Sequence, residues 1–235
     1  MNIKLRMRLP LIISTLILSV LTLPGRAQEE VYKMELGAML GGSFYLGDAN
    51  YTGFYKGTRP MGGIMARYIF TPRLALKGNL AIAGIKGSTG ADNKFPFDTR
   101  FSRTLYDLGV QIEANFWGYG IGQEFLGYRR FTPYITGGLG FTLAPAPAKT
   151  NFTMNFPIGI GVKYKVRPRW NIGVEFTMRF SLSDELDVTS TNEALNDPYR
   201  IKSGFLKNKD SYSFTMFFVT YDLFPRCQNC NKLED

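Results

Sequence analysis

Two residues near the C-terminus have the types and spacing to do chemistry. Cys227 and Cys230 are the only cysteines of the chain, spaced C-x-x-C within "YDLFPRCQNCNKLED". That spacing serves zinc binding, thiol redox chemistry or a local disulfide. A structural zinc site takes four ligands from cysteine and histidine, and this sequence has two cysteines and no histidine. A thioredoxin-like switch sets the pair at a helix N-terminus, which lowers the thiol pKa. Only five residues follow Cys230, too few for a stable helix. The missing histidine also excludes Ser-His-Asp and Cys-His catalysis.

The other candidates are charged residues set in alternating segments. In "PIGIGVKYKV" (157–166), Ile158, Ile160, Val162, Tyr164 and Val166 alternate with glycines, Lys163 and Lys165. In "WNIGVEFTMRF" (170–180), Trp170, Ile172, Val174, Phe176, Met178 and Phe180 alternate with residues that include Glu175 and Arg179. Period two sustained this long predicts a strand with one apolar face. Segments 32–45, 60–70, 74–85, 104–117, 132–143 and 211–224 follow the same pattern less strictly. In the last of these both faces are apolar, and Phe217, Val219, Tyr221 and Leu223 are taken as the outward set.

The polar faces collect Glu35, Arg67, Lys77, Asp107, Glu113, Lys163, Lys165, Glu175 and Arg179, four acids and five bases. In a soluble lipocalin-like or sandwich domain the inward face must fill a core, and burying these charges there would cost far more than it gains. A membrane barrel inverts the arrangement. Apolar residues meet lipid, and paired charges fill a lumen only as wide as its side chains. The same charges also suit a proton relay or catalytic carboxylates. The expectation here is a structural charge network with no open pore.

The connections alternate in length. "TPR" (71–73) and "RPR" (167–169) are tight turns in which Pro presets φ, and 118–131 reads as an intermediate turn. Residues 46–59, 86–103, 144–151 and 183–210 form longer links. A related pattern around Arg67 and Lys163 marks the hairpins 60–85 and 152–182. The fold expected is all-β: an eight-stranded antiparallel transmembrane barrel of the outer membrane, with short periplasmic turns and long extracellular loops. Tyr32, Phe70, Trp117, Tyr164, Trp170 and Phe224 fall at the periplasmic strand ends, where aromatic girdles belong. The acidic stretch "SLSDELDVTSTNEALNDP" (181–198) lacks the ordered spacing of a calcium loop and reads as a solvated outer loop.

Residues 1–27 read as a signal peptide. Lys4, Arg6 and Arg8 precede the apolar run Leu9 to Leu23, and Gly25 and Ala27 supply the small residues of a cleavage site. Residues 28–225 are then the barrel and 226–235 a short periplasmic tail. The signal holds four basic and no acidic residues, so the remainder has 24 basic against 19 acidic, a net charge of +5. That charge is dispersed, which argues against nucleic acid. At the periplasmic mouth, an oxidising compartment, Cys227 and Cys230 are expected to close a local disulfide. A thiol pair engaged by a partner is the alternative.

Several stretches together resemble the PorG-type outer-membrane proteins of Bacteroidota: "ELGAMLGGSFYLGD" (35–48), "RPMGGIMARYIFTPRLALKGN" (59–79), "FTPYITGGLG" (131–140), "SLSDELDVTST" (181–191) and "LKNKDSYSFTMFFVTYDL" (206–223). One position departs from the family pattern: Leu186-Asp187 runs directly into Val188, without a second acid. The resemblance implies a part in type IX secretion, in which such proteins anchor a periplasmic ring, built from a lipoprotein and its partner, to the outer membrane. The expectation is therefore a non-enzymatic barrel with no cofactor, metal or small-molecule substrate. Its partners would be outer-membrane lipid and periplasmic ring components. Its partner-facing residues would be Arg73, Arg167, Arg169 and Arg226 on the periplasmic rim. The alternative is a general structural or surface-exposed barrel that works through its outer loops.

Overall fold

The computed structural model describes residues 32–46, 55, 57–88, 100–121, 128–145, 150–182 and 211–225. Eight long strands form the wall: β1 (Tyr32–Leu46), β2 (Arg59–Thr71), β3 (Leu74–Ser88), β4 (Arg100–Asn115), β7 (Phe131–Ala144), β8 (Asn151–Arg167), β9 (Trp170–Ser181) and β10 (Ser211–Pro225). Two short strands, β5 (Gly118–Tyr119) and β6 (Tyr128–Arg129), pair in parallel between β4 and β7. Each long strand pairs antiparallel with its neighbour in the order β1-β10-β9-β8-β7-β4-β3-β2, and β2 pairs again with β1. The sheet is thus closed. The closing ladder runs from Tyr32 opposite Pro225 to Leu46 opposite Ser211. Closure leaves no unpaired edge, the condition for strands to cross a bilayer.

The period-two pattern decides which side chains point out. Leu40 is 70% exposed, Ile160 62% and Ile64 57%, whereas Arg67, Glu113 and Glu175 are 0% exposed. A soluble protein that exposed an aliphatic surface on every strand and buried charges would be inside out. In lipid each face meets its proper solvent. The last strand follows the same logic. Phe217 is exposed, while Tyr212, Phe214, Met216 and Phe218 are buried in the lumen.

The two ends differ. At one end the β2–β3 and β8–β9 links are tight, with register shifts between Ile69 and Thr71 and between Lys165 and Arg167 where the ladders enter their turns. Thr71 Oγ1 accepts from the amides of Arg73 and Leu74, at 3.3 and 3.0 Å, and fixes the first turn. The connections 47–58, 89–99, 145–150 and 182–210 leave from the opposite end.

Inward glycines make room for large lumen side chains. A Cβ on Gly161 would lie 2.5 Å from the Tyr134 ring, and one on Gly173 would lie 2.3 Å from Phe218. A ring from one strand thus lies over the bare backbone of its neighbour.

Candidate functional site

Ion pairs and hydrogen bonds cross the lumen from strand to strand. Nearest the short-turn end, Lys165 pairs with Asp222. Asn171 Nδ2 donates to the other oxygen of that carboxylate at 2.5 Å. One step further in, Glu113 bridges two cations: Lys163 bonds Oε1, and Arg67 Nε bonds Oε2 at 2.9 Å. Arg67 also pairs with Glu35, which accepts from Thr220 Oγ1 at 3.0 Å. Beside them Lys77 Nζ reaches both oxygens of Glu175 at 2.5 and 2.6 Å, and the Tyr134 hydroxyl donates to the same carboxylate at 2.6 Å.

Towards the long-loop end Asp107 collects four donors. Arg179 Nε lies at 3.1 Å, Tyr212 OH at 2.6 Å, Asn155 Nδ2 at 3.1 Å and Asn79 Nδ2 at 3.2 Å. Gln111 and Thr136 extend this chain through Asn79, with bonds of 3.0 and 2.9 Å. The Arg179 guanidinium lies 4.0 Å from the centre of the Phe214 ring, and Arg67 lies 5.3 Å from that of Phe218.

The nine lumen residues named from sequence, Glu35, Arg67, Lys77, Asp107, Glu113, Lys163, Lys165, Glu175 and Arg179, are thus all buried and all paired. A tenth member, Asp222, was not among them. Sequence reasoning passed over it because β10 is apolar on both faces and offers no clean polar side. With Asp222 the paired acids and bases balance. Buried pairs with good geometry and extra hydrogen bonds can hold charge at low dielectric, whereas one partner alone cannot. The lumen is not polar throughout. Met39, Met61, Met65, Met216, Phe214 and Phe218 form an apolar cluster inside the β10–β1–β2 side of the wall.

The described residues of 118–131, expected to form an intermediate turn, do more than turn the chain. The Tyr119 amide donates to Pro72 O at 3.1 Å, Gly120 N to Arg129 O at 3.1 Å and Lys165 N to Arg130 O at 2.8 Å. These bonds sew the described parts of the segment to the β2–β3 turn and to β8, beneath the barrel mouth. Tyr119 turns inward. Its hydroxyl donates to Asn171 Oδ1 at 2.8 Å, and the ammonium groups of Lys163 and Lys165 lie 4.7 and 5.4 Å from its ring centre. Burial is the largest influence on this phenol and raises its pKa, which keeps it protonated as a donor. No period marks this cap in the sequence, because its strands are two residues long.

The rim residues lie as follows. Arg73 is exposed on the β2–β3 turn and Arg167 is half-buried at the end of β8. Arg169 Nε bonds the Tyr32 hydroxyl at 2.8 Å, and its guanidinium lies over the Tyr32 ring at 5.3 Å. Phe70, Trp117, Tyr164, Trp170 and Phe224 are exposed at the same end, as a girdle requires, and Phe131 joins them. Tyr32, expected among them, is instead buried, with the Arg169 guanidinium over its ring. The signal peptide read at residues 1–27, Arg226, Cys227 and Cys230, and residues 183–198 of the acidic stretch lie outside the described residues.

A closed antiparallel barrel with an aliphatic outer belt, an aromatic girdle and a charge-paired lumen is a transmembrane β-barrel of the outer-membrane type. The chain belongs to the family described as "Domain of unknown function (DUF6089)", whose profile matches residues 12–232. Similar solved structures include the N-terminal β-barrel domain of Pseudomonas aeruginosa OprF, at 12% identity and a TM-score of 0.47, covering 83% of this chain and 100% of that one. Neisserial surface protein A is similar at 12% identity and a TM-score of 0.49, over 81% of this chain and 97% of that one. Ail of Yersinia pestis, in complex with a heparin analogue, is similar at 11% identity and a TM-score of 0.43, over 81% and 99%. No curated protein matches.

Proposed function

We propose that this chain is a non-enzymatic barrel of the bacterial outer membrane, exported by the signal peptide at residues 1–27, that docks periplasmic partners at its short-turn end. The partners are the ring components of a type IX secretion or gliding apparatus, as the resemblance to PorG-type proteins implies. The observation that carries the docking role is the obstructed lumen. A charge network spans it, and Tyr119 sits across its short-turn mouth. Such a barrel offers a partner its surfaces rather than a passage. The surface at the short-turn end is held in shape by backbone hydrogen bonds between the cap, the β2–β3 turn and β8. Arg73, Arg167 and Arg169 project from the two tight turns there, and the tail from Arg226 continues from β10.

A second reading places the function in the outer loops of a structural or surface-exposed barrel. It is favoured by the length of the connections 89–99 and 183–210, which leave from the other end. Gene deletion followed by complementation separates the two. Under the docking role, deletion abolishes secretion of type IX cargo. A chain with Arg73, Arg167 and Arg169 changed to Gln and residues 226–235 removed then fails to restore it, while a chain shortened within 183–210 succeeds. The reverse pattern supports the second reading. Normal cargo secretion after deletion overturns the secretion role.

A further inference from the structure

The rim carries more positive charge than the residues assigned to docking account for. Arg73, Arg129, Arg130 and Arg167 follow one another along one arc of the barrel end, from the β2–β3 turn through the cap to the β8–β9 turn. None of the ion pairs among the described residues involves them. The described carboxylate nearest this end, Asp222, is buried in the lumen and taken by Lys165. Among the described residues the arc is thus a run of guanidinium groups without a paired carboxylate.

Its depth in the membrane is marked by the rings beside it. Trp117 and Phe131 are exposed, with ring centres 5.9 Å apart. Phe131 faces outward on β7, among the lipid-facing residues. The Arg129 guanidinium lies 4.9 Å from the centre of the Trp117 ring. β6 lies in the cap, beyond the ends of β4 and β7, and Arg129 is exposed there beside Trp117. Exposed Trp and Phe mark the boundary between acyl chain and headgroup, so a guanidinium beside them lies at the level of lipid phosphates. This cation–π contact holds the guanidinium beside the ring, and its N–H fork suits bidentate bonds to phosphate oxygens.

We infer that Arg129, held beside Trp117 and flanked by Arg73, Arg130 and Arg167, binds the phosphate of anionic phospholipid headgroups in the periplasmic leaflet. The chemistry follows from what the site offers. The guanidinium groups take the phosphate diester, the ring pair takes the first carbons of the acyl chains, and no described acid is present to attract a cationic headgroup. A zwitterionic lipid carries its own ammonium to the site and gains less from the arc. The inference does not rest on the partner-docking role, since it concerns the outward, lipid-facing side of the rim.

Native mass spectrometry of the full chain in detergent tests it, with phosphatidylglycerol and phosphatidylcholine of identical acyl chains as probes. Binding of phosphatidylglycerol is expected to exceed that of phosphatidylcholine. Each arginine near a lipid surface contributes enough that Arg129→Gln is expected to lower phosphatidylglycerol binding about fivefold. Lys86→Gln, at the opposite end, is expected to leave it unchanged. The heat-dependent gel shift of a folded barrel shows that each variant has folded, and Arg129→Lys, which keeps the charge but not the planar fork, reports separately on the fork's geometry. Soluble glycerol phosphate is expected not to displace the lipid. Equal binding of the two lipids, no loss in a folded Arg129→Gln variant, or displacement by glycerol phosphate would each overturn the assignment. A rim that instead captures an acidic protein would show no headgroup preference, and that result also overturns it.

Discussion

At the scale of single residues the lumen depends on a few bridging groups. Glu113 holds Arg67 and Lys163 together, so its loss strands the buried Lys163 and leaves Arg67 with Glu35 alone. Breaking a buried pair from one side costs about 3–5 kcal/mol. Glu113→Gln is therefore expected to lower the unfolding free energy of the lipid-refolded barrel by an amount in that range, read from the shift of the urea midpoint by tryptophan fluorescence. An unchanged midpoint would show that the network contributes little. These residues were legible because a charge repeated at every second position in a membrane strand has only the lumen to face. Their partners were not. Lys77 and Glu175 are 98 positions apart, and Tyr212 meets Asp107 across 105. Such pairs depend on the tilt and stagger of all eight strands, which no single strand encodes.

At the scale of elements, period two located the wall and proline the tight turns. The Pro72 and Pro168 turns were plain in the sequence because a preset φ beside strand ends has few other uses. The cap was read as a turn and is more than that. It brings Tyr119 under the mouth and against Asn171, using backbone bonds from Tyr119 N to Pro72 O and from Lys165 N to Arg130 O that carry no side-chain signature. Replacing Tyr119 with Ala removes the ring that faces Lys163 and Lys165. Both lysines are buried and are expected to resist a membrane-impermeant amine-acylating reagent in the parent barrel. In Tyr119→Ala, Lys165 is expected to acylate at least about tenfold faster, since local opening that need expose only one side chain costs little. Peptide mass spectrometry reads the site. Equal rates would mean that the cap does not guard the mouth. The apolar cluster of Met39, Met65, Met216, Phe214 and Phe218 was equally hidden. A strand apolar on both faces gives no direction, and only its neighbours in the closed sheet reveal which face is enclosed.

At the scale of the whole molecule the barrel has two faces and two ends. The outer face is an aliphatic belt and the inner face a balanced network of ions and rings, as an eight-stranded barrel allows. A filled lumen of this kind is expected to give no stable conductance in planar bilayers. Sustained open-channel currents from purified protein would contradict the packing described here. The ends differ in build, since tight turns and a bonded cap close one and long connections leave the other. The docking role assigns function to the closed end, and photo-crosslinking in intact cells tests that most directly. A photoreactive residue placed at Arg73 is expected to capture a periplasmic protein, and one placed within 183–210 to capture none. Adducts from 183–210 with none from Arg73 would contradict the account.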